Sequence, residues 1–189
     1  MMKKDEITLA VKKLCERAKA GSPSVALAGD AQRNRALVAI SEQLIAEKDT
    51  ILAANARDLE NAAANDVPRV MLDRLTLTEA RLAAIAEAVK NLATLPDPLE
   101  GSETWSRPSG ITITRAKVPL GLVAIIYESR PNVTAVAAAL CIKSGNAVVL
   151  RGGKEAIDTN RAVVAAIRRA LEREGISPDV VGLVEQTDR

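Results

Sequence analysis

Two short, almost continuously apolar runs constrain the fold of this chain more than any other feature. They occupy residues 121–127 and 146–150, and each is bounded by turn residues. This pattern is typical of strands that a parallel sheet covers on both faces. A helical pattern lies between them, another follows at residues 154–174, and a third apolar run lies at residues 180–184. We therefore predict an α/β protein containing one half of a doubly wound, Rossmann-type parallel sheet with right-handed crossovers.

The rest of the chain divides into two further segments. Residues 1–100 show helical spacing, with Asp49 and Thr78 as predicted N-caps, and the helix after Thr78 is expected to end at the Pro-Asp-Pro sequence 96–98. In residues 101–118, alternating side chains at 111–116 predict a half-exposed strand, and the Pro-Ser-Gly turn before it makes the segment a hairpin arm. Residues 119–189 then form the first βαβαβ half of the sheet, whose third strand is expected to leave an open apolar edge.

Composition excludes several classes of function. Of the 189 residues 48% are hydrophobic but only 1% aromatic, and the net charge is +2, so a surface for nucleic acid is not expected. No run is long enough for a membrane span, and the N-terminus lacks the apolar region of a signal peptide, so we predict a cytoplasmic protein without membrane partners. Histidine is absent, which removes the commonest metal ligand, and no metal site is predicted.

The first polar turn with possible chemistry contains Arg151, Gly152, Gly153 and Lys154. Two glycines after a strand allow a ligand to approach the backbone, and the start of the next helix with two cations favours an anion such as a nucleotide phosphate. The turn lacks the spacing of a P-loop or of a dinucleotide-binding glycine fingerprint. The alternative is an ordinary strand-to-helix turn with two exposed cations.

The second polar turn follows the first apolar run and contains Arg130 and Asn132, and Pro131 between them can open the next helix. The two turns are expected at the carboxyl ends of neighbouring parallel strands. Arg130 can hold a carboxylate or phosphate through two hydrogen bonds, and Asn132 can donate to a developing oxyanion. The alternative is a solvated turn at the start of a helix. Cys141 follows at helical spacing and is interpreted as a small core residue rather than a nucleophile, as is Cys15.

Several motifs together resemble one known family. They comprise Ala54, Asn55 and Asp58, the sequence MLDRL at 71–75, VPLG at 118–121, YESRPNVT at 127–134, KSGN at 143–146 and RGG at 151–153. They are similar to the N-terminal portion of the γ-glutamyl phosphate reductase family, within the aldehyde dehydrogenase superfamily. The resemblance implies an aldehyde-dehydrogenase-like fold, truncated here, in which the helical segment belongs to the cofactor domain and the hairpin to the oligomerisation region.

The resemblance also implies a reaction and its site. The expected reaction is the reduction of L-glutamate 5-phosphate by NADPH in proline biosynthesis, with release of phosphate. Arg151 is implied to bind the 2′-phosphate of NADP(H), with Gly152, Gly153, Lys154 and Glu155 nearby and with Ile126 and Tyr127 lining the cofactor cleft. Arg130 is implied to bind substrate, and Asn132 to stabilise the oxyanion. A homo-oligomer of the complete enzyme and coupling to glutamate 5-kinase are further implications.

Two departures from the family pattern bear on activity. Val136 occupies a position where the family usually has an acidic residue, and Cys141 matches a position of the family motif that is not catalytic. Because the family's nucleophilic cysteine is not in this chain, the chain alone is expected to be inactive. Two alternatives remain open: a non-catalytic module that binds a nucleotide or pairs with full-length subunits, and an unstable product without a function.

Overall fold

Helices dominate the first half of the chain, and strands begin after residue 101. The computed structural model describes residues 4–186. Its helices and strands, in chain order, are α1 (Lys4–Ala26), α2 (Asp30–Ala46), α3 (Lys48–Ala64), α4 (Arg69–Leu75), α5 (Glu79–Leu92), β1 (Ser102–Ser106), β2 (Thr112–Ala116), β3 (Leu122–Ile126), α6 (Pro131–Lys143), β4 (Ala147–Arg151), α7 (Ile157–Arg173) and β5 (Val181–Leu183). Short 3₁₀ turns at Lys154–Ala156 and Pro178–Val180 precede α7 and β5.

The parallel sheet confirms the predicted fold class. β4 lies in the centre and pairs in parallel with β3 on one side and β5 on the other. Helices α6 and α7 connect the three strands and contact each other and the sheet. The predicted helix 154–174 differs in its first turn, where residues 154–156 are 3₁₀ and α7 starts at Ile157. The predicted third strand is also shorter, because residues 178–180 form a 3₁₀ turn.

The two faces of the sheet are covered by different helices. Val148 and Leu150 of β4 belong to the large core cluster together with side chains of α2, α5, α6 and α7. On the other face, Gly182 of β5 lies against Leu14 of α1, where an added Cβ would be 3.2 Å from the leucine side chain. Because side chains alternate along a strand, α1 covers the opposite face of the sheet.

In the described part of the sheet the third strand lies at an edge, as the sequence predicts. β3 and β5 are both edge strands, because β4 pairs with each of them. All three residues of β5 are buried, whereas β3 is partly exposed and its Ile126 retains 75% of its accessible surface. The third strand is therefore an edge strand with buried side chains, and the exposed apolar side chains lie on the other edge strand, β3.

Helix boundaries agree with the sequence-based prediction at Thr78 and Pro131 and differ from it at Asp49 and at the end of α5. Thr78 caps α5, because its side chain accepts a hydrogen bond from the Arg81 backbone N–H at 3.2 Å, and Pro131 is the first residue of α6. Asp49 is not the N-cap of α3, since the helix already starts at Lys48. Helix α5 also ends at Leu92, before the prolines expected to terminate it, through turns that close at Ala93 and Thr94.

Two buried polar residues of α3 connect the helical segment to the sheet half. Asp58 accepts hydrogen bonds from the backbone N–H groups of Asp158 (3.1 Å) and Thr159 (2.8 Å) and from the Thr159 hydroxyl (2.6 Å). Asp58 therefore caps the start of α7 from another helix. Asn55 donates to the Leu75 carbonyl at 2.9 Å and accepts from the Leu77 N–H at 2.8 Å, which fixes the segment between α4 and α5.

Glycine and asparagine fix the starts of β3 and β4. Gly121 has φ 99° and Gly145 has φ 71°, values in the left-handed region that favours glycine. The Asn146 side chain accepts from the Gly121 N–H at 2.8 Å and donates to the Ser144 carbonyl at 3.0 Å. The glycines of VPLG and KSGN, two of the motifs that carry the family resemblance, thus have a local structural role in aligning neighbouring strands.

The β1–β2 hairpin is antiparallel and exposed. Trp105 pairs with Ile113 on one face, and Thr104 pairs with Thr114 on the other. Ile113 is half-buried, and the other residues of both strands are exposed. Among the helices within residues 4–186, none is both long and apolar enough to cross a membrane.

Candidate functional site

The carboxyl ends of β3 and β4 meet at a cleft of about 660 Å³, which we call the strand-end cleft. Open α/β sheets bind their ligands at this end of the strands. Six of the site residues predicted from the sequence line the cleft, and the other lining residues come from the same turns and from α4. The lining residues are Met71, Arg74, Ile126, Tyr127, Glu128, Ser129, Arg130, Arg151, Gly153 and Glu155.

Two of the predicted cofactor residues do not line this cleft. Lys154 is exposed in the 3₁₀ turn, and Gly152 faces inward toward Asn160 and Tyr127. Arg151 is the last residue of β4, and the Tyr127 N–H donates to its carbonyl at 3.0 Å. This bond keeps the two polar turns side by side, as the sequence predicted for neighbouring strand ends.

The two glycines of the turn are needed for contacts within the protein. A Cβ at Gly152 would lie 2.4 Å from the Asn160 amide nitrogen, and one at Gly153 would lie 1.9 Å from the Ser129 hydroxyl oxygen. Neither glycine has a positive φ. The close approach of a ligand to these glycines stays a prediction, and contacts within the protein are a second reason for glycine at both positions.

Hydrogen bonds between side chains fix the wall of the strand-end cleft in two places. Ser129 donates to the Glu155 carboxylate at 2.5 Å, joining the two turns. Thr134 donates to the Asn160 side-chain carbonyl at 2.6 Å, so Tyr127 donates to the Thr134 hydroxyl across 2.7 Å. Burial raises the pKa of Tyr127, which keeps its phenol protonated. The Asn160 amide nitrogen is buried beneath Gly152 without a hydrogen-bond partner among the described residues.

A second cavity of about 550 Å³, the helix-side cavity, lies between the α4–α5 segment and the start of α6. Asn132 and Arg130 line it, as does Val136, the position where the sequence departs from the family pattern. Apolar walls come from Leu77, Ile85 and neighbouring alanines of α5. The cavity therefore combines an exposed amide and arginines with an apolar wall, which suits a small ligand that has both an anionic and an aliphatic part.

Arg74 and Arg130 line both cavities and therefore mark the junction between them. The Arg130 side chain lies 3.5 Å from the Glu128 carboxylate, and both groups are largely exposed. Sequence reasoning included Arg130 but missed Arg74 and Met71, which come from the helical segment. The available signal was the MLDRL motif at residues 71–75, but its spacing alone does not indicate a contact with turns that lie far away in the sequence.

The two cysteines line neither cavity. Cys141 is buried in α6, and burial raises the pKa of its thiol to about 11, which keeps it protonated at neutral pH. Cys15 is half-buried in α1. Within residues 4–186, no group of three or more His, Cys, Asp or Glu side chains is arranged to hold a metal ion.

Curated relatives share nearly the whole length of this chain. It is 49% identical over 171 residues to a "Gamma-glutamyl phosphate reductase" of Streptococcus suis, covering 90% of this chain and 41% of that protein. It is 44% identical over 182 residues to a protein of the same name from Ligilactobacillus salivarius, covering 96% of this chain and 43% of that protein. The chain thus spans about two fifths of the length of the curated relatives it matches. No protein-family model matches the chain.

Solved structures with the same fold include an enzyme of the same name. The structure superimposes on the γ-glutamyl phosphate reductase of Thermotoga maritima with a TM-score of 0.90 and 36% identity, over 94% of this chain and 43% of that one. An acetylating aldehyde dehydrogenase from Geobacillus thermoglucosidasius matches with a TM-score of 0.72 at 15% identity, over 97% of this chain and 38% of that one. The second match shows that the aldehyde-dehydrogenase-like fold is shared.

Proposed function

From the premise that this chain is homologous, over nearly all of its length, to part of a γ-glutamyl phosphate reductase, we propose that it supplies the cofactor-binding and substrate-orienting side chains of such an enzyme. The reaction is the NADPH-dependent reduction of L-glutamate 5-phosphate to L-glutamate 5-semialdehyde with release of phosphate, in cytoplasmic proline biosynthesis. One observation carries the proposal. Two separate segments of the chain, one with Ile126 and Tyr127 and the other with Arg151 and Glu155, line a single cleft at the carboxyl ends of adjacent parallel strands.

The strand-end cleft has the groups that a phosphorylated dinucleotide requires. Arg151 provides a fixed positive charge for the 2′-phosphate, which distinguishes NADPH from NADH. The Glu155 carboxylate, held by Ser129, can accept a hydrogen bond from a ribose hydroxyl, and the exposed side chain of Ile126 offers an apolar surface for a ring. NADPH, when bound, supplies the hydride. The chain's own residues bind and orient it.

The helix-side cavity has the groups that an acyl phosphate requires. The Asn132 amide can donate to the acyl oxygen as negative charge develops there, which stabilises the transition state of attack on the carbonyl. In that attack a thiolate forms a bond to the acyl carbon, the bond from this carbon to the phosphate oxygen breaks, and phosphate leaves with the electron pair. We assign the thiolate to residues outside this chain, because Cys141 is buried and neither Cys141 nor Cys15 lines either cavity.

The exposed hairpin supports a proposal about partners. Trp105 and Ile113 form an apolar pair on one face of a ribbon whose other residues are exposed. Exposed aromatic and aliphatic pairs on a projecting ribbon are suited to pairing with another subunit. We therefore assign the hairpin to the contact between subunits of a homo-oligomer. Coupling to glutamate 5-kinase remains a prediction from the family resemblance.

Cofactor binding by the purified chain tests the proposal. Dissociation constants for NADPH and NADH are measured for the wild type, for Arg151→Ala and for the control Arg107→Ala, which changes an exposed arginine in the hairpin turn. Because a charge-assisted bond to phosphate contributes about 1.5–3 kcal/mol, Arg151→Ala should weaken NADPH about tenfold or more and NADH little. An equal loss for both cofactors, or no binding of NADPH by the wild type, would overturn the cofactor assignment.

A further inference from the structure

Arg74 is a cationic side chain at the junction of the two cavities, and the proposed function assigns it no role. It lines both the strand-end cleft and the helix-side cavity, as Arg130 does. Within residues 4–186, no hydrogen bond or ion pair engages the Arg74 guanidinium. The neighbouring Arg81 is different, because it donates to the carbonyls of Asp73 (2.8 Å) and Thr76 (2.7 Å) and so has a structural role.

The backbone that carries Arg74 is held from inside the protein. The next residue, Leu75, is 1% exposed, and its carbonyl accepts a hydrogen bond from the buried Asn55 side chain at 2.9 Å. Asn55 also lies 3.2 Å from the Thr159 hydroxyl, which connects this segment to the start of α7. A free cation on an anchored backbone is therefore presented to the junction, where an anion can reach it.

We propose that Arg74 binds the phosphoryl group of the acyl-phosphate substrate and the phosphate that it releases. The inference rests on the proposed function, in which the acyl carbon must lie between Asn132 in one cavity and the cofactor in the other. The phosphate is bonded to this carbon through a single oxygen, so it must lie at the junction as well. The α-carboxylate is at the far end of the aliphatic chain and belongs deeper in the helix-side cavity. Arg74 and Arg130 together match the charge of the phosphoryl group.

The cofactor pyrophosphate has the same chemistry and could come from the strand-end cleft, so the experiment distinguishes the two sources. The purified chain is labelled with ¹⁵N, and the arginine Nε–Hε signals are followed by NMR while inorganic phosphate is added at constant ionic strength. Arg74→Gln assigns the Arg74 signal and measures its contribution. Arg69→Gln is the matched control, because Arg69 is exposed on the same helix and lines neither cavity.

The expected result is a saturable shift of the Arg74 and Arg130 signals with no shift at Arg69. Arg74→Gln should weaken phosphate binding about five- to tenfold, as expected for one charge-assisted contact that is open to solvent. Arg69→Gln should leave the affinity unchanged. The absence of an Arg74 shift across the titration, or an equal effect of the two substitutions, would overturn the inference.

Repeating the titration with saturating NADPH identifies the source of the phosphate. If Arg74 serves the acyl phosphate, its phosphate-dependent shift persists, and Arg74→Gln leaves the NADPH affinity unchanged. If NADPH abolishes the shift and Arg74→Gln weakens NADPH, Arg74 serves the cofactor and the inference is wrong. A wild-type chain that fails to bind NADPH but still shows the Arg74 shift would contradict the cofactor proposal and support the phosphate site.

Discussion

Substituting Gly153 by alanine tests the packing of the turn that joins β4 to α7. The new Cβ would lie 1.9 Å from the Ser129 hydroxyl oxygen, 2.9 Å from the Glu155 carboxylate and 3.0 Å from the Ser129 backbone nitrogen. Rotation of the serine side chain can relieve the first contact, but it breaks the hydrogen bond to Glu155. The backbone contact remains, so the turn itself must move.

The magnitude follows from these two contributions. Loss of the half-buried Ser129–Glu155 hydrogen bond should cost about 1 kcal/mol, and the residual overpacking about another 1–2 kcal/mol. Gly153→Ala should therefore lower the free energy of unfolding by about 2–3 kcal/mol in a urea titration of the chain. Gly29→Ala is the control, because an added Cβ at Gly29 meets nothing within 4 Å.

A double-mutant cycle identifies the cause. Ser129→Ala alone removes the same hydrogen bond, so in that background Gly153→Ala should cost only the residual overpacking. The two substitutions should then be coupled by about 1 kcal/mol, well above the few tenths expected for independent sites. Strict additivity, or a cost for Gly153→Ala no larger than that for Gly29→Ala, would refute the argument that this glycine is required by the serine.

Three further outcomes are expected from individual residues and strands. Burial raises the pKa of Asp58, so the folded state binds the proton of this carboxyl more tightly than the unfolded state does. The free energy of unfolding of the wild type, measured relative to Asp58→Asn in urea titrations, should therefore fall as pH rises from about 4 toward neutrality. A rise over the same pH range would contradict this. Iodoacetamide should label Cys15 faster than Cys141, because the buried thiol has a pKa of about 11, and faster labelling of Cys141 would contradict its core role. Hydrogen exchange should be slowest in β4, which pairs on both sides, and equal protection of the edge strand β3 would show that its edge is covered.

The features predicted correctly from the sequence depend on short-range patterns. The apolar runs gave the strands, and their polar ends gave two turns that the structure places side by side. Thr78 and Pro131 have local roles as a helix cap and a first helical residue, so sequence alone located both. The hairpin was predicted from alternation around a turn, which is also a local signal.

The features missed by sequence reasoning depend on contacts between distant segments. Gly153 is required by Ser129, and Gly152 by Asn160, but nothing in the spacing of the glycines distinguishes a packing contact from a ligand contact. Arg74 reaches the junction because Asn55 anchors the residue that follows it. The exposure of apolar side chains on β3 depends on which distant segments pack over each edge strand, and this is not a local signal.

Mapping NADPH onto the chain is the decisive test of the proposed cofactor site. Backbone amide signals of the ¹⁵N-labelled chain are compared by NMR with and without the cofactor. We expect shifts concentrated at residues 126–130 and 151–155, which surround the strand-end cleft, and unchanged signals in the hairpin Ser102–Ala116. Shifts confined to other surfaces, or no shifts at saturating NADPH, would contradict the assignment of this cleft to the cofactor.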